Sequence, residues 1–145
     1  MRVDFYHLAE APIDAVIAQL ATRVTADDGR LLVVAEDPAF LSRLDRLLWD
    51  ARAASFLAHG IAGGADDALQ PILLSTTPDA PNRARTMLIA DGAWREAALA
   101  FDRALYLFDA ETLAGARLAW KLLAGRDGVE RHYWQRVEGK WAEQG

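Results

Sequence analysis

Toward its carboxyl end the chain places Arg117 and Lys121 four residues apart, with Trp120 between them, in the run ARLAWKLLAG (116–125). Cations at i and i+4 lie on one face of a helix. A guanidinium fork beside an ammonium suits a carboxylate. With Trp120 and Phe108, from the preceding strand-like run ALYLF (104–108), as apolar walls, the set predicts a receptor for a ligand that is acidic and apolar at once. The alternative is that Trp120 covers the helix edge or packs under the strand that follows. A second cluster, Trp49, Phe56, Leu57 and Ile61, reads either as a lid folded back on the core or as a protein interface anchored by aromatic side chains.

Other chemistry is thinly provided for. LAEAP (8–12), after the first predicted strand, lacks the glycines that let a phosphate approach the backbone, so neither a dinucleotide fingerprint nor a Walker loop is present. GIAGG (60–64) reads as a flexible loop rather than a phosphate cradle. His7, His59 and His132 are scattered along the chain and read as structural histidines rather than as a metal site. Ser42, Ser55 and Ser75 lack the nucleophile-elbow setting. Asp27-Asp28 and Asp66-Asp67 sit in turn-like stretches, where aspartate is favoured for bonding nearby backbone. The sequence therefore predicts no catalytic, cofactor-binding or metal-binding residues.

The elements that position these residues alternate. Residues 3–8 (VDFYHL) read as a strand, and Ala11-Pro12 opens a helix whose stripe is Ile13, Val16, Ile17, Leu20 and Val24. LLVVA (31–35) reads as a strand covered on both faces. The next helix buries Phe40, Leu41, Leu44, Leu47 and Leu48, residues 51–67 are loop-like, and PILLS (71–75) and residues 87–90 are strands joined by a turn-rich connection, 77–85. Residues 93–100 read as helix, 104–108 as strand, 111–124 as the last helix and 130–136 as an edge strand before a short polar tail. On a 100°-per-residue wheel, Leu118, Leu122, Ala119 and Leu123, with Gly115, form the predicted core side of the last helix. Trp120 then falls roughly 140° from the centre of that arc, beside Arg117 and Lys121. Strands alternating with helices predict an α/β fold, a mostly parallel sheet flanked by helices, in a single domain spanning 1–145.

Composition narrows the function classes. Sixteen Lys plus Arg against twenty-one Asp plus Glu leave a net charge of −5, so no overall positive field draws nucleic acid, and DNA is expected to be reached only indirectly. Lys121 and Lys140 are the two lysines, so cationic contacts are mostly guanidinium forks. Absence of cysteine excludes thiolate chemistry and Cys-based metal sites. No apolar run approaches the roughly 18 residues a membrane span needs, and a cytoplasmic protein without membrane partners is expected.

In order along the chain, VDFYHL, LDRLLWDARAASFLAHGIAG (44–63), PILLS, FDRALYLFD (101–109) and ARLAWKLLAG resemble the chi subunit of bacterial DNA polymerase III holoenzyme. The resemblance covers nearly the whole chain. It implies a Rossmann-like α/β fold and a non-catalytic, replisome-associated adaptor. Such an adaptor binds a psi-type subunit of the clamp loader and the acidic C-terminal tail of single-stranded-DNA-binding protein. On that resemblance Arg117, Trp120, Lys121 and Phe108 belong to the tail pocket, and Trp49, Phe56 and Leu57 to the psi-facing surface. Helix positions often basic in relatives are Leu113 and Ala119 here. The competing reading is a small-molecule or nucleotide-binding α/β enzyme using the carboxyl ends of its strands.

Overall fold

The computed structural model describes residues 1–26, 28–50 and 58–144. Its strands are β1 (Arg2–His7), β2 (Leu31–Val34), β3 (His59–Ile61), β4 (Ile72–Ser75), β5 (Thr86–Ile89), β6 (Arg103–Phe108), β7 (Glu130–Val137) and β8 (Lys140–Gln144). The helices are α1 (Ile13–Thr25), α2 (Pro38–Asp50) and α3 (Leu113–Ala124). One sheet in the order β3-β4-β2-β5-β6-β1-β7-β8 results, parallel throughout except for the β7–β8 pair. This is the α/β, mostly parallel architecture expected from the alternation of apolar runs.

β2 (LLVV) is apolar at every position, and β4, β5 and β6 carry polar residues only at one end, because both faces of these strands are covered. Leu31, Val33, Ile72, Leu74, Leu88, Leu105 and Leu107 face α1 and α2, whose Val16, Ile17, Leu20, Leu41, Leu44 and Leu48 close over them. Leu32, Val34, Leu73, Met87, Ile89, Tyr106 and Phe108 face α3 and a short 3₁₀ turn, Glu96–Ala100. That 3₁₀ turn replaces the helix expected over 93–100.

A buried carboxylate staples β1 to its neighbours. Asp4 is fully buried and accepts hydrogen bonds from Arg2 Nη2 (2.9 Å), Arg103 Nε (2.7 Å) and Trp134 Nε1 (2.9 Å). Burial alone pushes its carboxyl upward, but the bonds from Arg2, Trp134 and Arg103 outweigh burial and hold it below the usual carboxylate range.

Three expectations change. Residues 140–144 are a strand, not a polar tail, so β7 lies inside the sheet. Glu138 (φ 52°) and Gly139 (φ 78°) both adopt the left-handed region that a two-residue hairpin turn requires. Trp141, packed edge-on to Tyr6 at 5.1 Å, gives β8 its anchor. The predicted loop 51–67 carries β3, where any Cβ on Gly60 would come within 3.0 Å of Gln70. In the same stretch, the N–H groups of Gly63 and Gly64 donate to the Asp67 carboxylate at 2.9 and 3.0 Å, so the chain fills its own anion cradle. Third, α3 is rotated from the expected wheel by about 70° toward Trp120. Its buried residues are Ala116, Ala119 and Leu123, while Leu118 and Leu122 are 69% and 52% exposed. The sheet beneath presents rings rather than aliphatic side chains, and small alanines fit against a layer that already fills the space.

Candidate functional site

Alternation along β1 sends Phe5 and His7 to the α3 side, and the sheet register builds a floor from them. Tyr106, Phe5 and Tyr133 form one cross-strand row over β6, β1 and β7, and Phe108, His7 and Gln135 form the next. The rings are in contact: Phe5 lies 5.2 Å from Tyr106, and His7 stacks on Phe108 at 5.1 Å with planes 7° apart.

Trp120 descends from α3 onto this floor. Its ring meets Phe5 edge-on at 5.1 Å and Tyr133 at 6.0 Å. Arg131 lies 4.1 Å above the same ring and donates from Nη1 to the Trp120 carbonyl oxygen at 2.7 Å. Trp120 is thus a fixed wall at the inner helix edge, and its packing under the C-terminal strand and its place in a pocket prove compatible. The wet-face placement derived from the wheel is corrected by the rotation of α3.

Between helix and floor lies a cavity of about 300 Å³ lined by Phe5, His7, Phe108, Leu113, Ala116, Arg117, Trp120, Lys121, Tyr133 and Gln135. All four residues expected at a tail pocket, Phe108, Arg117, Trp120 and Lys121, line this one cavity. Arg117 and Lys121 are exposed, and among the described residues neither forms an ion pair or hydrogen bond with another side chain. Two uncommitted cations therefore stand beside an aromatic chamber, an arrangement able to hold an apolar group with a carboxylate attached. Phe5, His7, Tyr133 and Arg131 escaped the sequence reading. The odd-numbered alternation of residues 3, 5 and 7 was the available signal for the first two, whereas Arg131 joins the site only through the β7 crossover.

The second predicted cluster is only partly visible. Trp49 is 48% exposed and its ring lies 4.3 Å from that of His59, a buried histidine whose Nε2 is 3.0 Å from the Asp45 carbonyl oxygen. Leu47 and Ile61 are exposed nearby in sequence and fold, whereas Phe56 and Leu57 lie outside the described residues. At the carboxyl ends of β2 and β5, where α/β sheets often take ligands, Asp91 is occupied by Arg95 (2.8 Å from each nitrogen) and by the N–H groups of Glu36 and Ala93. Burial raises the Asp91 carboxyl, and these bonds bring it below its ordinary value. No group of three or more His, Cys, Asp or Glu suited to a metal ion occurs among the described residues, and no helix there is long and apolar enough to cross a membrane.

Fold and site together define an α/β sheet protein with a cation-rimmed aromatic cavity rather than a phosphate loop. Residues 1–130 match the family described as DNA polymerase III chi subunit, HolC, and the chain belongs to that family. Membership makes it an accessory subunit of DNA polymerase III, acting in DNA replication, from a family that is not itself catalytic. No curated protein matches the chain. Among solved structures it is similar to the C-terminal domain of S. cerevisiae Dbp5 L327V, determined bound to Gle1 H337R and IP6. That likeness has 13% identity, covers 90% of this chain and 88% of that one, and has a TM-score of 0.61. At such identity it speaks for the fold alone.

Proposed function

We propose that the protein is a protein-protein adaptor whose α3 cavity receives the acidic C-terminal tail of single-stranded-DNA-binding protein, while a psi-type clamp-loader subunit docks elsewhere. The observation carrying this reading is the pair Arg117 and Lys121, exposed and uncommitted beside a ring-lined chamber. A C-terminal phenylalanine supplies a ring for the chamber and an α-carboxylate for the cations, and aspartates before it meet the same charge. The ring fixes position and the cations fix polarity. The psi-facing surface in this reading is Trp49 with Phe56 and Leu57, supported by a large ring left half in water. The fold is then a Rossmann-like one and the site of action cytoplasmic, at the replisome.

Calorimetric titration of a tail peptide ending in acidic residues and phenylalanine tests the reading. Because Arg117 is exposed, Arg117→Ala is expected to cost about 0–1 kcal/mol of binding rather than the larger loss of a desolvated pair. Trp120→Ala weakens binding further by removing the wall. Added salt acts on the charged contacts, as the screening length shrinks from about 10 Å at 0.1 M to about 3 Å at 1 M. Unchanged affinity in both folded variants rejects this cavity as the receptor.

A further inference from the structure

The opposite end of the sheet carries a concentration of arginine that the tail receptor does not use. Arg30 immediately precedes β2, Arg85 precedes β5, Arg103 opens β6 and Arg2 opens β1. Leu31 pairs with Thr86, Thr86 with Arg103, and Arg103 with Arg2, so the four guanidinium-bearing residues follow one another across adjacent strands. Three strand spacings make this rim about 14 Å long. A cavity of about 440 Å³ opens there, lined by Arg30, Arg83, Arg85 and Arg103 with Asp28 on its wall, while the buried Asp4 holds Arg103 and Arg2 and leaves Arg30, Arg83 and Arg85 to carry the free charge.

The rim is built rather than incidental. Asn82, fully buried, donates from Nδ2 to the carbonyl oxygens of Leu31 and Gln70 and accepts from the Ala84 N–H, which locks the 80–85 turn between the two arginines it presents. Arg30 donates to the carbonyl oxygens of Ala68 (2.7 Å) and Asn82 (3.2 Å), which orients it without neutralising it. Arg83 stands at φ 61°, a left-handed conformation uncommon for a long side chain. Among the described residues neither Arg30 nor Arg83 has a carboxylate partner, and Arg85 meets Asp102 only at 3.8 Å with both side chains in water. Screening limits each exposed charge to about 8 Å at physiological salt, so a ligand at this rim meets the local arginines rather than the net −5 of the chain.

From this geometry we propose that the amino-terminal rim of the sheet is a contact surface for the phosphodiester backbone of single-stranded DNA. The walls offer guanidinium forks but no aromatic platform and, apart from Val24, no apolar side chain. That composition suits a repeating phosphate and gives a peptide nothing to bury. The chain belongs to a family of DNA polymerase III subunits, and a DNA polymerase copies a single-stranded template. The rim stands apart from the α3 cavity, sharing no lining residue with it, so the proposal does not depend on the tail reading.

The test is fluorescence anisotropy with a labelled oligothymidylate of about 20 nucleotides, longer than the stretch one small domain covers. The wild type is compared with Arg83→Ala/Arg85→Ala and with a control of equal charge change, Arg43→Ala/Arg46→Ala on the outer side of α2. Both rim arginines are exposed, and an unchanged thermal midpoint confirms that the variant is folded. The rim variant is expected to lose about tenfold in affinity at low salt and to flatten the dependence of log K on log salt by about 1.4, two phosphates' worth for a single strand. The control is expected to retain wild-type affinity. Equal losses in the rim variant and the control, no loss in either, or undetectable binding by the wild type overturns the proposal. So does displacement of the oligonucleotide by inorganic phosphate or by polyglutamate at equal charge concentration, which reassigns the rim to a free anion or an acidic peptide.

Discussion

The sheet face beneath α1 and α2 and the face beneath α3 carry similarly apolar strands, yet they are closed by different means. On the first, two helices lay Val16, Ile17, Leu20, Leu41, Leu44 and Leu48 over aliphatic strand residues, and Trp134 and Trp141 seal the edge by packing on Tyr6 at 6.1 and 5.1 Å. On the second, one helix contributes mainly alanine, and the strands themselves supply the bulk as rings. Aliphatic side chains interdigitate and leave little space. Rigid rings under small residues leave a gap at the helix margin, and that gap is the cavity beside Arg117 and Lys121. Closure on one face provides stability, while incomplete closure on the other leaves an open cavity rimmed by two cations.

The contrast is broken most severely on the closed face. Ile17→Ala, at a side chain with no solvent exposure, is expected to cost about 3–4 kcal/mol in urea unfolding while leaving tail-peptide affinity unchanged once the protein is folded. Next in size, Asp4→Asn removes the charge that gathers Arg2, Arg103 and Trp134. Because both arginines are about two-fifths exposed, the expected loss is about 2–3 kcal/mol, below that of a fully buried pair. With its carboxyl held below the ordinary value of 3.8, Asp4 contributes stability above that pH and loses it as pH falls through the folded value. Acid unfolding of wild type should therefore converge on that of the variant.

Trp120→Ala sharpens the comparison on the open face. It strips a half-buried ring from Phe5, Tyr133 and Arg131, with an expected stability loss of about 1–2 kcal/mol together with weaker peptide binding. A thermal melt and a titration on the same sample separate this joint loss from the single loss at Ile17. The smallest effect lies at the sheet edge. Glu130, and then Glu143, hold His132 above its ordinary value, so protonated His132 adds stability below about pH 6.5 that fades as pH rises through the raised value. His132→Gln should lower the melting midpoint at pH 6 more than at pH 8.

Much of this architecture is written in short-range pattern. Runs such as LLVV and the 3.6-residue stripe of α1 specify element type because burial on a sheet or a helix face demands that spacing, and the ordered runs from VDFYHL to ARLAWKLLAG carry the family resemblance that residues 1–130 bear out. That Arg117, Trp120 and Lys121 would stand together beside Phe108 at one cavity was legible as well, because two cations flanking an aromatic at helical spacing is a local feature. The rotation of α3 was not. A wheel ranks faces by hydrophobicity alone, and it favours Leu118 and Leu122; the surface the helix meets is assembled from β1, β6 and β7, strands up to 130 residues apart, and that ring-filled surface admits Ala116 and Ala119 instead. Tertiary structure likewise decided that β8 completes the sheet and that Arg131 caps Trp120. It also gathered arginines scattered from position 2 to position 103 on one rim, because parallel register brings the starts of distant strands side by side.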